Sequence, residues 1–444
     1  MSPSTVHLLV LVHGMWGHPG NLSELKRIAG ETYSAALKDG SRLEILVPET
    51  NRDASTYDGI DWGGERVAKE ILDRVSELDA AGVKVTKLSV TGYSLGGLVA
   101  RYVVGILLQQ GFFDNVEPVN FNTIATPNIG LPRYCSIMSV LSSALVPKLL
   151  SRTGEQFYCV DKWSPNGRPL LLVMADPERI FYKALQKFKN LKIYANGVND
   201  GTVPYVTAAI ETEDPFAEHA TNGIDIQFHD EYNHVIKSHA LPETAPTQPV
   251  VLSREWFNTV RPSRSLPFRF PLNVLAYTLL PVVIPAAISV ALVKFSLESH
   301  SSRARIKALE KLEKEKESLE NGSEKSNRRL AQILAELEQE LENMSVEVTD
   351  DDSEVTSATS NSTPPSSGRS TPPLPQYQKG QPILNPHQQK IVVWLNTLPL
   401  KKEVAFFPHA MNAHAMIISR DLKRAPGNRS GESVIRHWAD SLEI

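Results

Sequence analysis

The first half of the chain is built from apolar blocks separated by polar turns. Val6 to Val12 is almost unbroken in its apolarity. Unbroken rather than alternating apolarity predicts a parallel strand covered on both faces. Asn21 to Leu37 follows with helical spacing, and Arg42 to Pro48 reads as a second strand. Between Gly64 and Leu78, the apolar positions Val67, Ile71, Val75 and Leu78 make a stripe one helical face wide. A β-prone run around Leu88 and Val90 leads into Leu98 to Leu108, which is apolar, free of proline and predicts a buried helix. Strand and helix in regular alternation imply a parallel sheet with helices on both faces.

The rhythm breaks after residue 130. Leu141 to Leu150, Leu170 to Met174 and Phe181 to Phe188 are apolar segments that read as a cap over a site or as surface helices. Leu191 to Asn196 resumes the strands. Pro271 to Val293 then carries no charged side chain, and Pro281 and Pro285 interrupt its middle. It is long enough to span a bilayer, but the prolines predict a bend or break there. Arg261, Arg264 and Arg269 precede it, and Lys294, Arg303, Arg305 and Lys307 follow, so both flanks are basic. Ser302 to Ser345 is dense in Lys, Glu, Arg and Leu and reads as solvated helix, interrupted near Asn321-Gly322. Val346 to Gln381, acidic and rich in Ser, Thr and Pro, reads as a disordered linker. Ala405 to Phe407 and Glu432 to Leu442 are a closing strand and helix.

Composition narrows the partners. A formal charge of −4 with dispersed Lys and Arg argues against nucleic acid. Two cysteines without metal-ligand spacing fit a reducing compartment and no disulfide framework. The first apolar run lacks a basic lead-in and is too short for a signal peptide.

The candidate chemistry centres on Gly92-Tyr93-Ser94-Leu95-Gly96. Gly-x-Ser-x-Gly between a strand and a helix is a nucleophile elbow, which lifts the serine hydroxyl above the sheet at a helix N-terminus. His13-Gly14 ends the first strand, where such hydrolases place one oxyanion N–H donor; the second follows the nucleophile. These would be Met15 and Leu95. Asp200, in Asn199-Asp200-Gly201 after a strand, fits the acid of a triad in the chain order Ser, Asp, His. Asp176, before Pro177, is a weaker candidate. His234, His409 and His414 compete for the base.

The motifs His13-Gly14-Met15-Trp16-Gly17, Gly92 to Tyr102 and Asn122-Thr-Ile-Ala-Thr-Pro127 together resemble the putative serine esterase family of lipase-like α/β-hydrolases, and within it the fungal lipid-droplet phospholipases. Asn128 stands where that family has His. The resemblance favours His414, in Asn412-Ala413-His414, as the base. It implies an α/β-hydrolase with a parallel-rich sheet over residues 1–260, a cap around 130–190 and a return to the hydrolase core at 382–444. Between these lie a membrane hairpin (261–300), a charged helical segment (301–345) and the linker (346–381). It further implies serine-dependent hydrolysis of lipid acyl esters, most of all glycerophospholipids, with no cofactor and no metal. If His414 serves Ser94, a single crossing of the membrane would part them. The apolar stretch 266–297 should therefore return to its own face, each arm reaching about 15 Å of a ~30 Å core. That suits a lipid-droplet monolayer or the endoplasmic reticulum membrane, with the catalytic domain facing the cytosol.

Overall fold

The structure, a computed structural model, describes residues 4–243, 272–319 and 380–444. Strand β1 (Ser4–Val12) leads into helix α1 (Ser23–Thr32), β2 (Arg42–Leu46), α2 (Ile60–Ala80), β3 (Val83–Tyr93), α3 (Leu95–Gln109) and β4 (Glu117–Ile124). The middle of the chain adds β5 (Arg133–Tyr134), α4 (Ile137–Leu149), α5 (Ser151–Phe157), α6 (Leu170–Ala175), α7 (Ile180–Gln186), β6 (Asn190–Asn196) and α8 (Tyr205–Ala209). Then come β7 (Asp225–Phe228), β8 (Val235–Ala240) and the long α9 (Leu272–Leu319). The C-terminal part supplies β9 (Pro382–Ile383), α10 (Pro386–Leu395), β10 (Leu400–Ala405), α11 (Ala413–Met416) and α12 (Glu432–Asp440).

Eight strands form one sheet in the order β2-β1-β3-β4-β6-β10-β8-β7. From β2 to β10 every pairing is parallel, and β8 and β7 extend the sheet antiparallel. β10 thus sits inside the sheet, between β6 and β8, although the chain makes it after both. Among the parallel strands, β1, β4 and the C-terminal half of β3 are buried on both faces, as apolar runs of this kind predict. One core packs α2, α3, α6 and α7 against the sheet; the other packs α1 and α12, with Trp438 fully buried. His7 fits inside β1 because its Nε2 meets Ser89 Oγ at 2.7 Å, and burial lowers its pKa to about 4.

Three expectations meet a different structure. The segment 130–190 is not one cap: α6 and α7 are core helices, and Phe181 of α7 packs against Gly105 of α3, where a Cβ would collide with its ring. Only α4 stands out from the core, with Val140 64% exposed. The hairpin is replaced by a single helix, α9, running through Pro281 and Pro285. Each proline removes one N–H donor. But the residues between them are Val282, Val283 and Ile284, and none of these favours the left-handed backbone that a tight reversal uses. The charged segment is no separate element where it is seen, since α9 carries on through Arg303 and Arg305 to Leu319. Residues 320–345 and the linker up to residue 379 lie outside the described residues.

Candidate active site

β3 ends at Tyr93 and α3 begins at Leu95, so the whole change of direction falls on Ser94, at φ +56° and ψ −130°. Such backbone is costly for a residue with a side chain and persists only where its surroundings enforce it. The glycines of the motif are what allow the crowding. A Cβ at Gly14 would lie 2.6 Å from the Ser94 Cβ, and one at Gly96 would run into the Val12 carbonyl. The loop after β1 therefore lies directly against the serine. Among the described residues, no hydrogen bond occupies the Met15 or Leu95 amide.

Ser94 Oγ lies 3.0 Å from His414 Nε2, although 320 positions separate the two residues. His414 Nδ1 lies 2.9 Å from Asp200 Oδ2. Asp200 accepts only, so it fixes the proton on Nδ1 and leaves Nε2 free to accept from the serine. The imidazole sits in α11, whose cap residue Asn412 accepts from the Ala415 N–H. Tyr93 clamps it from the sheet: its hydroxyl donates to the His414 carbonyl at 2.7 Å, and its ring centroid is 5.0 Å from the imidazole.

Asp200 follows β6 in a tight turn. Its Oδ1 accepts from the Thr202 and Val203 N–H groups at 3.0 and 2.8 Å. Its Oδ2 also accepts from Asn196 at 2.8 Å. Burial alone would raise this carboxyl, but His414, the Val203 amide and Asn196 outweigh it and hold the pKa below its ordinary value. Asn199, at φ +61°, donates to the Phe407 and Pro408 carbonyls, and the Ala413 N–H returns to the Asn199 carbonyl. The acid loop and the base loop are thereby stitched together.

The other candidates lie elsewhere. Asp176 is paired with Arg168 at 2.5 Å. The His234 ring packs on Phe407, and His409 is exposed. Asn128 replaces the expected histidine with a buried hub. It takes Arg101 Nη2 on its Oδ1 at 2.7 Å and Nη1 on its carbonyl, and donates to Ala208 O and Thr123 Oγ1. Arg101 is buried with no carboxylate partner among the described residues, and burial lowers its pKa to about 10. Helical spacing treats Arg101 as one more position on α3, so pattern alone gave no sign of this pair.

For metals, one group of ligands converges among the described residues: His229, Glu403 and His437, with ligand atoms within 4.8 Å of one another. It shares no residue with the serine relay. Tyr194 already engages His437 Nδ1, and the Lys192 ammonium adds positive charge nearby. A cavity of about 400 Å³ opens behind Asp200, lined by Tyr134, Asp214, Phe216 and His219, but neither Ser94 nor His414 lines it.

A mostly parallel sheet whose strand ends carry Ser94, Asp200 and His414 in that chain order has the architecture of an α/β-hydrolase. Comparison with known proteins narrows the class. Residues 2–213, just under half of the chain, match the family model described as "Putative serine esterase (DUF676)". A putative lipase of Schizosaccharomyces pombe is 32% identical over 213 residues, 46% of this chain and 26% of that one. The putative lipase ROG1 of Saccharomyces cerevisiae is 29% identical over 210 residues, 46% of this chain and 28% of its own. The chain thus spans about a quarter of the length of these relatives. A solved Listeria innocua protein, the lin2722 gene product, aligns over 46% of this chain and 76% of its own at 16% identity and TM-score 0.29, too low to add to the topology.

Proposed function

We propose that the chain is a serine-dependent hydrolase of lipid acyl esters, and that its substrates are glycerophospholipids presented at a membrane or lipid-droplet surface. The observation that carries the chemistry is the unbroken hydrogen-bonded line from Ser94 through His414 to Asp200. Ser94 Oγ attacks the ester carbonyl carbon as its proton passes to His414 Nε2. The carbonyl oxygen, now negative, accepts from the free amides of Met15 and Leu95. His414 then gives its proton to the departing alcohol, here a lysolipid. Water, deprotonated by the same nitrogen, attacks the acyl-enzyme and frees a fatty acid and Ser94. Asp200 stays ionised throughout and stabilises the imidazolium.

The surface of the molecule supports a lipid substrate. Along α9, Val282, Val290 and Val293 are 69%, 70% and 60% exposed, far more apolar side chain than a helix in water presents. α9 is long and apolar enough to cross a bilayer by length and composition alone. Crossing would demand a second crossing to return, because β8 before it and β10 after it share one sheet. Residues 244–271 contain Arg254, Glu255, Arg261, Arg264 and Arg269 and hold no stretch fit for that. Engagement of one leaflet, or of a droplet monolayer, fits these constraints, and the proposal sets the active site on the cytosolic side.

A fluorophosphonate probe tests the chemistry: it should label the wild-type chain and not Ser94→Ala. A folded wild-type protein that resists labelling would overturn the hydrolase reading. Hydrolysis of phospholipid vesicles against triacylglycerol emulsions tests the substrate. Faster turnover of the emulsion would favour a neutral-lipid lipase, the second reading, which the description of both yeast relatives as lipases supports.

A further inference from the structure

Trp16 follows Met15, the proposed oxyanion donor, and holds an unusual position. Its indole is 48% exposed, and its backbone has φ +54°, a conformation rare for so bulky a residue. Three contacts impose that conformation. The Trp16 N–H donates to Thr56 Oγ1 at 3.1 Å, and its indole N–H donates to the Tyr57 hydroxyl at 2.8 Å. Its ring face stacks on Phe295 of α9, with centroids 5.4 Å apart and planes 9° from parallel.

The same helix grips the turn that holds Trp16. Asp58, fully buried beside the 3-10 turn Asp53–Tyr57, accepts from Ser302 at 2.6 Å and from Arg305 at 2.8 Å, and Arg305 also donates to the Ala54 carbonyl. α9 therefore meets the oxyanion loop twice, directly through Phe295 and through the turn that carries Thr56 and Tyr57. Before Phe295, the residues from Pro281 to Val293 are exposed, with only Ala291 intermediate. One end of the helix is bolted to the catalytic machinery, and this apolar stretch is exposed.

We propose that Trp16 is a positioning residue that ties the oxyanion loop to α9, so that burial of the apolar half of α9 in a lipid surface raises turnover at Ser94. This rests on the hydrolase reading above. The lever is geometric. An oxyanion donor acts over hydrogen-bond range, and losing one lowers turnover on the order of 10²–10³-fold. A lipid surface that fixes the free half of α9 fixes Phe295, hence Trp16, hence the Met15 amide. The effect belongs to the chemical step, so it should appear in kcat rather than KM.

The test uses the full chain, a monomeric water-soluble short-chain ester and vesicles of ether-linked phospholipid, which bind but cannot be hydrolysed. Wild-type kcat on the soluble ester should rise at least about tenfold when vesicles are added, with KM little changed. Phe295→Ala should co-sediment with vesicles as the wild type does, yet lose the rise. Trp16→Ala should have low kcat with or without vesicles, and Trp16→Phe, which can still stack, should recover part of the response. Circular dichroism spectra and thermal melts matching the wild type show that each variant is folded. The proposal is overturned if vesicle-bound wild type gains nothing, or if Phe295→Ala gains as much as the wild type. Failure of wild type to label or to cleave the soluble ester would instead bring down the hydrolase reading itself.

Discussion

A single carboxylate, Asp200, accepts from two backbone amides, an asparagine and the catalytic imidazole. Replacing it with Asn keeps the shape but offers an N–H to Nδ1, which favours the wrong tautomer. Asp200→Asn should lower kcat on the order of 10³–10⁴-fold with KM little changed, as steady-state kinetics on a soluble ester would show. Asp161 is the opposite case. Burial raises its carboxyl to about 6, its Oδ1 has no partner among the described residues, and Oδ2 accepts from the Leu170 N–H. An acid whose folded pKa is raised keeps a proton that the unfolded chain gives up. Its contribution to stability therefore falls as pH rises from about 4, its unfolded value, to about 6, and the cost is complete above that. Asp161→Asn should gain about 2–3 kcal/mol over wild type at pH 7 and little at pH 4, read from denaturant melts at both. Asn128→Ala removes the side-chain acceptor of the buried Arg101 guanidinium, leaving it only the backbone carbonyl of residue 128, and should cost about 3 kcal/mol in the same melts.

At the scale of elements, the sequence was most legible where one period dominates. β1, α2, β3 and α3 stand within a few residues of their apolar runs, because strands buried on both faces and a helix with one apolar stripe leave an unambiguous pattern. The glycines around Ser94 and Gly14 were legible for a different reason: three backbones meet there, and no other residue fits. The antiparallel β7–β8 pair and the short β5–β9 pair escaped, since strands this short or half exposed carry little periodicity. Arg101 and Asn128 escaped because a buried charge answered by an amide leaves no spacing signal. Two prolines misled the reading of α9, where a local rule about helix breaking gave way to a run with no turn-forming residue. Spin labels at Val274 and Leu292 distinguish the two shapes. At 1.5 Å per residue a continuous helix sets them about 27 Å apart, whereas a hairpin turning at 281–285 would bring them to about 10 Å. The longer distance is expected, both in detergent and on liposomes.

For the molecule as a whole, the decisive fact is that residues before and after α9 share one sheet and one active site. The chain should therefore tolerate a break in the 320–379 stretch. Fragments 1–319 and 380–444, expressed together, should reassemble and restore fluorophosphonate labelling of Ser94, whereas 1–319 alone should stay unlabelled. Labelling of the lone fragment would show that another histidine serves as the base. The place of β10 also sets a schedule for the ribosome. Until residues 400–405 emerge, β6 and β8 wait with open edges around a gap one strand wide. The serine is made early and stays unarmed until the gap closes, so a nascent or prematurely terminated chain carries the nucleophile without its base.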